Sequence, residues 1–260
     1  MGPTDRPSPL VRIAAPPVFW LVLWQVGARA VEGYVHGKGN ELLLPYPATV
    51  FSALLELAAE PVFWSTVFGS LFRVLSGMVL GMALGGLLAG LTCTSLWADL
   101  LLSPALRVIR ATPVASFILL VILWTERTLV PVVISALMVI PVVWANLSRG
   151  IRETDPKLLE FAAAYRFSRW KTIRLIYLPS LRPYLLAAAT TSMGLAWKSG
   201  IAAEVLCLPK SAVGTEIYET KLYLEIPSLF AWTAVVVALS MLLEWVLSKL
   251  LEQRRKEGKL

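Results

Sequence analysis

Long apolar runs separated by polar segments set the pattern of this chain. Six runs stand out, at 13–31 ("IAAPPVFWLVLWQVGARAV"), 66–91, 111–124 (with an alternative start near Leu100), 129–147, 183–206 and 229–250. A hydrocarbon core of about 30 Å is crossed by roughly 20 apolar residues in helical form. In lipid each backbone N–H and C=O must be satisfied within its own segment, so each run is predicted to be a helix. The expected fold class is therefore all-α integral membrane, with about six transmembrane helices. Pro113, Pro131 and Pro141 predict kinks in the middle spans.

Within the second run, "SGMVLGMALGGLLAG" repeats glycine every four residues at Gly77, Gly81 and Gly85. That spacing lines one helix face and lets another helix approach closely, either inside the chain or between subunits. Between the first two runs, Pro47 is well placed to open a short helix, "ATVFSALLELAAE", because a first-turn residue has no use for its N–H. His36 sits in the glycine-rich "YVHGKGN" with no cysteine or acidic cluster beside it, so it reads as an exposed loop residue rather than a metal ligand.

Composition agrees: 57% of residues are hydrophobic and 16% charged, against about 25% charged in soluble domains. The net charge of +7 alone would fit nucleic acid. Here, however, the basic residues cluster between and after the apolar runs, and no RNA-binding signature or zinc-ligand spacing is present. No nucleic-acid partner is expected. With the N-terminus inside, one side collects Arg6, Arg12, Arg107, Arg110, the basic residues from Arg149 to Arg182, and the C-terminal tail. The other side holds only Arg29, Lys38, Arg127, Lys210 and Lys221. This bias orients both termini to the cytoplasm. The expected organisation is a cytoplasmic tail over 1–12, a transmembrane domain over 13–250 and a basic cytoplasmic tail over 251–260. An external segment covers 32–63 and a cytoplasmic loop covers 148–182. Reading the first run as a cleaved signal would leave an odd number of spans and move the basic loop outside. Cys93 and Cys207 fall at the ends of different spans, on opposite sides of the membrane and too far apart for a disulfide, and are expected to be free thiols.

The 148–182 loop carries helix punctuation. Asp155 and Pro156 are suited to N-cap and first position of a helix "PKLLEFAAAYR", in which Glu160 is surrounded by apolar and small side chains. Ser168 is suited to cap a second helix, "RWKTIRLIY", expected to stop before Pro179. An amphipathic segment on anionic lipid of the inner leaflet accounts for the arginines and lysines. It does not account for a capped pair of helices carrying Glu160 and a patch of alanines.

The stretch "EFAAAYRFSRWKTIRLIYLPSLRP" resembles the EAA loop of permease subunits of binding-protein-dependent ABC importers. That pattern runs Glu-Ala-Ala, three residues, Gly, and later Ile/Val-x-Leu-Pro; Glu160, Ala162, "IYLP" at 176–179 and Pro183 match it. "LLPYP" at 43–47, "SLFRVLSGMVLG" at 70–81, "GIRETDPKLLE" at 150–160 and "AWKSGIAAEVL" at 196–206 look like the nitrate/sulfonate/taurine-type branch. The resemblance implies a type I ABC importer permease fold. It also implies a homodimer with two copies of an ATP-binding cassette subunit, which carry the ATP and Mg, and an external solute-binding protein. Coupling to the ATPase would run through the 156–179 loop, by way of Glu160, Phe161, Ala162, Ala163 and Arg166. Two positions depart from the pattern. Phe161 replaces the first alanine, and Arg166 replaces a glycine whose positive φ costs another residue roughly 1 kcal/mol or more.

Two charges lie within the fifth run. Lys198 and Glu204 are six residues apart, about 240° around a helix, so they do not share a face. Charges at membrane depth are functional candidates. Lys198 reads as a cation on the translocation pathway for a small anionic solute, or as the partner of a carboxylate on another helix. Glu204 is a further pathway candidate but lies near the outer interface, where a structural role also fits. Arg73 is expected to snorkel to an interface. "GLAWKSG" at 194–200 has a partial likeness to a phosphate loop, but Trp197 stands where a glycine is required. No catalytic set or cofactor site is expected in this chain. A secondary transporter often shows internal repeats, and a membrane enzyme or anchor would be marked by paired polar groups at one depth; neither is evident.

Overall fold

The computed structural model describes residues 9–34 and 39–257, and those residues form helices with no strand. In chain order they are α1 (Pro9–Tyr34), α2 (Gly39–Leu43), α3 (Pro47–Ala59), α4 (Pro61–Thr94), α5 (Leu96–Ala111) and α6 (Val114–Val121). There follow α7 (Val130–Arg152), α8 (Pro156–Ala164), α9 (Arg169–Thr172), a π turn (Ile173–Tyr177), α10 (Leu178–Cys207), α11 (Val213–Leu222) and α12 (Ile226–Glu257). Two compact units result: one from the chain through Trp64 with Glu216–Val235, the other from Ser65–Thr215 with the chain from Val236 onward.

In the first unit, aromatic residues pin the segment after α1. The Trp24 indole donates to Pro45 O at 3.0 Å, and the Tyr46 hydroxyl donates to the Glu32 carboxylate. Pro47 opens α3 in its first turn, as its missing N–H allows. Phe63 stacks on Trp232 with ring centroids 4.9 Å apart. His36 lies outside the described residues.

In the second unit the glycine face of α4 packs within the chain. A Cβ on Gly81 would stand 2.7 Å from Ala136 O, and one on Gly85 would stand 2.8 Å from Ile140 O. The close approach expected from the repeat is thus made to α7. Because both sets of numbers rise together, α4 and α7 run parallel. By contrast, Ser135 of α7 donates to Ala196 O while Gly150 abuts Tyr184, so α7 and α10 are antiparallel. Gly194 meets Glu244 while the Trp197 indole donates to Val236 O, which makes α10 and α12 antiparallel.

Parallel α4 and α7 require the chain between them to return once, and α5 with α6 makes that return. These two helices are bent by 106° at Thr112–Pro113, so the stretch from Leu100 through the third run is not one straight helix. Among the described residues, α4, α7 and Ile226–Leu250 of α12 are each long and apolar enough to cross a membrane, and the bent pair taken as one span brings the number to four. At 26 and 30 residues, α1 and α10 have the length for the remaining two expected crossings. Phe72, Val79, Trp97 and Leu101 are all more than half exposed, as apolar side chains facing lipid would be.

Two sequence expectations are corrected. Pro131 does not kink a span; it stands in the first turn of α7, where proline is tolerated. The helix opened by Ser168 does not stop before Pro179. Leu178 N–H reaches back five residues to Ile173 O, and the π turn carries the chain straight into α10. Pro179 sits in the first turn of α10, where it has no N–H to leave unsatisfied.

Candidate functional site

The projection between α7 and α10 is built by local signals. The Asp155 carboxylate accepts from Lys157 N–H at 2.9 Å to start α8, and Pro156 follows it. At the other end, Phe167 N–H donates to Ala162 O at 2.9 Å and Arg166 N–H donates to Ala163 O at 3.0 Å. This pair of bonds is a Schellman closure, with Arg166 in its left-handed position at φ 49°. Phe161 packs edge-on to Phe167, supplying the apolar contact that accompanies such a closure. The turn therefore keeps the geometry that a glycine favours although arginine occupies it. Arg166→Gly is expected to stabilise this turn by roughly 1 kcal/mol, read as slower hydrogen exchange at the Phe167 amide.

Glu160, Phe161, Ala163 and Arg166 are exposed on this projection, whereas Ala162 is buried against the chain. Tyr165 stands 4.4 Å from Phe161, and Lys171 Nζ lies 4.1 Å over the Phe167 ring. The exposed face is thus aromatic and basic around one carboxylate. At its root the Tyr184 hydroxyl of α10 donates to Glu153, which also pairs with Arg149 at 2.7 Å. Tyr184 first, then Arg149, holds the Glu153 carboxyl below its ordinary value. This tie is present at neutral pH and is lost as pH falls through that lowered value.

Glu204 and Lys198 separate as their helical spacing predicts. Glu204 is fully buried and pairs with Arg73 Nε of α4 at 3.0 Å. Ser70 donates to the same carboxylate at 2.8 Å, and Gly214 N–H does so at 3.1 Å. Arg73 also donates to Ser211 O at 2.7 Å. Arg73 therefore does not snorkel freely, and Glu204 is held in a structural network rather than facing an open path. Lys198 is exposed and makes no ion pair among the described residues. It lines a cavity of about 550 Å³ with Thr190, Thr191, Gly194, Glu244 and Leu247. Trp197 is buried in the middle of α10, so "GLAWKSG" forms helix and not a phosphate loop.

Residues 77–257, which carry the glycine face, the projection and this cavity, match the family described as "Binding-protein-dependent transport system inner membrane component". The chain belongs to that family. It is 29% identical over 216 residues to the putative aliphatic sulfonates transport permease protein SsuC of Bacillus subtilis, covering 83% of this chain and 76% of that protein. The taurine transport system permease protein TauC of Escherichia coli is 25% identical over 227 residues, covering 83% and 80%. The bicarbonate transport system permease protein CmpB of Synechococcus elongatus is 24% identical over 212 residues, covering 77% and 73%.

The chain is accordingly a multi-pass ABC importer permease of the nitrate/sulfonate/taurine-type branch, with the type I permease fold. As a transport component it is not an enzyme; ATP hydrolysis belongs to a partner subunit. Sequence reasoning missed three cavity residues of this permease, Thr190, Thr191 and Glu244. The signal for Glu244 was present: it is the one acidic residue in the 226–250 run. Among the described residues the free Cys93 and Cys207 bond to separate backbone carbonyls, of Ser148 and Arg127.

Proposed function

We propose that this permease works as a homodimer with two ATP-binding cassette subunits, which carry ATP and Mg, and with an external solute-binding protein. Both termini and the 148–182 loop are cytoplasmic, and 32–63 is external. The apolar domain over 13–250 lies between a 1–12 tail and a basic 251–260 tail. The α8 projection docks on the ATPase subunit through Glu160, Phe161, Ala163 and Arg166. Ala162 sets the position of α8 from behind. Closure of the two ATPase subunits pushes the projections together and moves α7 and α10, which flank them. Lys198 attracts a small anionic solute within the cavity. Glu204, fixed by Arg73, holds the outer end of the pathway helices.

The observation that carries this reading is the capped, exposed α8 with Glu160 on a short arm between two long helices. The relatives' printed substrates, sulfonates, taurine and bicarbonate, each carry a sulfonate or carbonate anion, which supports a solute with an anionic group. The test is co-purification of the tagged chain with its ATPase subunit. The native chain is expected to retain the subunit, and Glu160→Ala to lose it or to leave ATP hydrolysis insensitive to solute-loaded binding protein. A native chain that holds no ATPase subunit overturns the docking role.

A further inference from the structure

A second cavity, of about 410 Å³, lies between α5 and α7. Asp99, Ser103 and Arg107 fall on one face of α5 at four-residue spacing, and Trp144, Ser148 and Arg152 do the same on α7. Arg152 reaches Asp99 at 3.6 Å and Arg149 is held by Glu153 at 2.7 Å. These two carboxylates offset two of the three arginines. Arg107 makes no ion pair among the described residues, so the cavity keeps one uncompensated positive charge. Paired guanidinium groups still have spare donors, since each carries five N–H bonds in a fixed fork.

A second observation points to a ligand. Ser148 is 7% exposed, lines this cavity, and its hydroxyl has no hydrogen-bond partner. A buried hydroxyl left unpaired is costly, and an anionic oxygen in the cavity would satisfy it. Next to the cavity-lining face, α5 presents Leu96 and Leu100, 74% and 58% exposed. A ligand with an anionic head and apolar chains matches both surfaces. Basic pockets between membrane helices on the cytoplasmic side are suited to such headgroups.

We propose that the α5–α7 cavity binds the phosphate headgroup of an anionic phospholipid, gripped by Arg107, Arg152 and the Ser148 hydroxyl, with the acyl chains along α5. The leaflet rests on the orientation proposed above; the site itself does not depend on ATPase docking. The test is binding of radiolabelled phosphatidylglycerol to the immobilised full-length chain in detergent. The native chain should bind it saturably and in preference to phosphatidylcholine. Arg107→Gln is expected to bind roughly fivefold more weakly, the value of one arginine near an anionic lipid. Ser148→Ala, which leaves every charge in place, should also weaken binding. Arg182→Gln, a basic change outside the cavity, and Glu160→Ala should both bind as the native chain does. Equal losses in Arg107→Gln and Arg182→Gln would reduce the effect to diffuse charge and overturn the site. Displacement of the lipid by inorganic phosphate at millimolar concentration would assign the cavity to a free anion and overturn the lipid. No preference over phosphatidylcholine would overturn it as well.

Discussion

Glu204→Ala is expected to destabilise the permease by roughly 3–5 kcal/mol, the cost of breaking a buried ion pair by removing one partner. The carboxylate is fully buried and accepts from three donors, Arg73, Ser70 and Gly214 N–H. Its loss leaves a guanidinium only 15% exposed without its counter-charge and two more donors short of an acceptor. The network also closes the connection after α10, where Leu208 and Ser211 stand at φ 52° and 50°. Ser70 accepts from Val213 N–H at 2.9 Å, and Arg73 holds Ser211 O. A Cβ on Gly214 would fall 2.6 Å from Val205 N, so the loop can return this closely only with glycine there. Glu204→Gln keeps the volume and an acceptor and should lose less. Arg73→Met combined with Glu204→Met should recover much of the loss, because no buried charge is left unpaired. Thermal melting of the detergent-solubilised chain, followed by size exclusion, reads all three variants against the native chain. Melting of Glu204→Ala alongside the native chain would show that the pair holds nothing together.

What the sequence made legible was local. The caps at Asp155 and Ser168 and the helix start at Pro47 depend on neighbours within a turn, and each forms as expected. The glycine spacing was legible too, but not that its partner would be α7, about 55 residues on. The positive φ at position 166 was signalled only by the glycine that the resembled family carries there, and the structure keeps that conformation with arginine in place. What failed depended on partners distant in sequence or on the continuity of a helix. Pro179 was read as a stop because the residue before a proline is biased away from the helical region, but Leu178 stays helical at φ −61° and ψ −42° as the π turn runs into α10. Pro131 was read as a kink although it stands two residues into its apolar run, in the first turn of α7, where a missing N–H costs nothing. The pairing of Arg73 with Glu204 spans 131 positions, and no local pattern records it. One signal was available: opposite charges near the same predicted outer end of two antiparallel spans. The separation of Glu204 from Lys198 by helical rotation was legible, and it correctly assigned them to different surroundings.

Lys198→Met is expected to lower solute uptake roughly ten- to a hundred-fold, the worth of about 1.5–3 kcal/mol for a hydrogen bond to a charged group. Little of this should come from misfolding. Lys198 is exposed and makes no ion pair among the described residues, so its removal orphans no buried partner. Melting of Lys198→Met should therefore match the native chain, opposite to the behaviour of Glu204→Ala. Uptake would be measured in proteoliposomes holding the permease, its ATPase subunits and its binding protein, with taurine and ethanesulfonate as probes. Lys198→Arg keeps the charge on a different geometry and should retain part of the uptake. Glu244 on the same cavity wall gives the two probes different expectations. The cationic amine of taurine has a carboxylate to face there, and ethanesulfonate does not. Glu244→Gln should thus impair taurine uptake more than ethanesulfonate uptake, whereas Lys198→Met should impair both. Native-like uptake of both probes by Lys198→Met would remove the lysine from the pathway and leave the cavity without its anion-selecting charge.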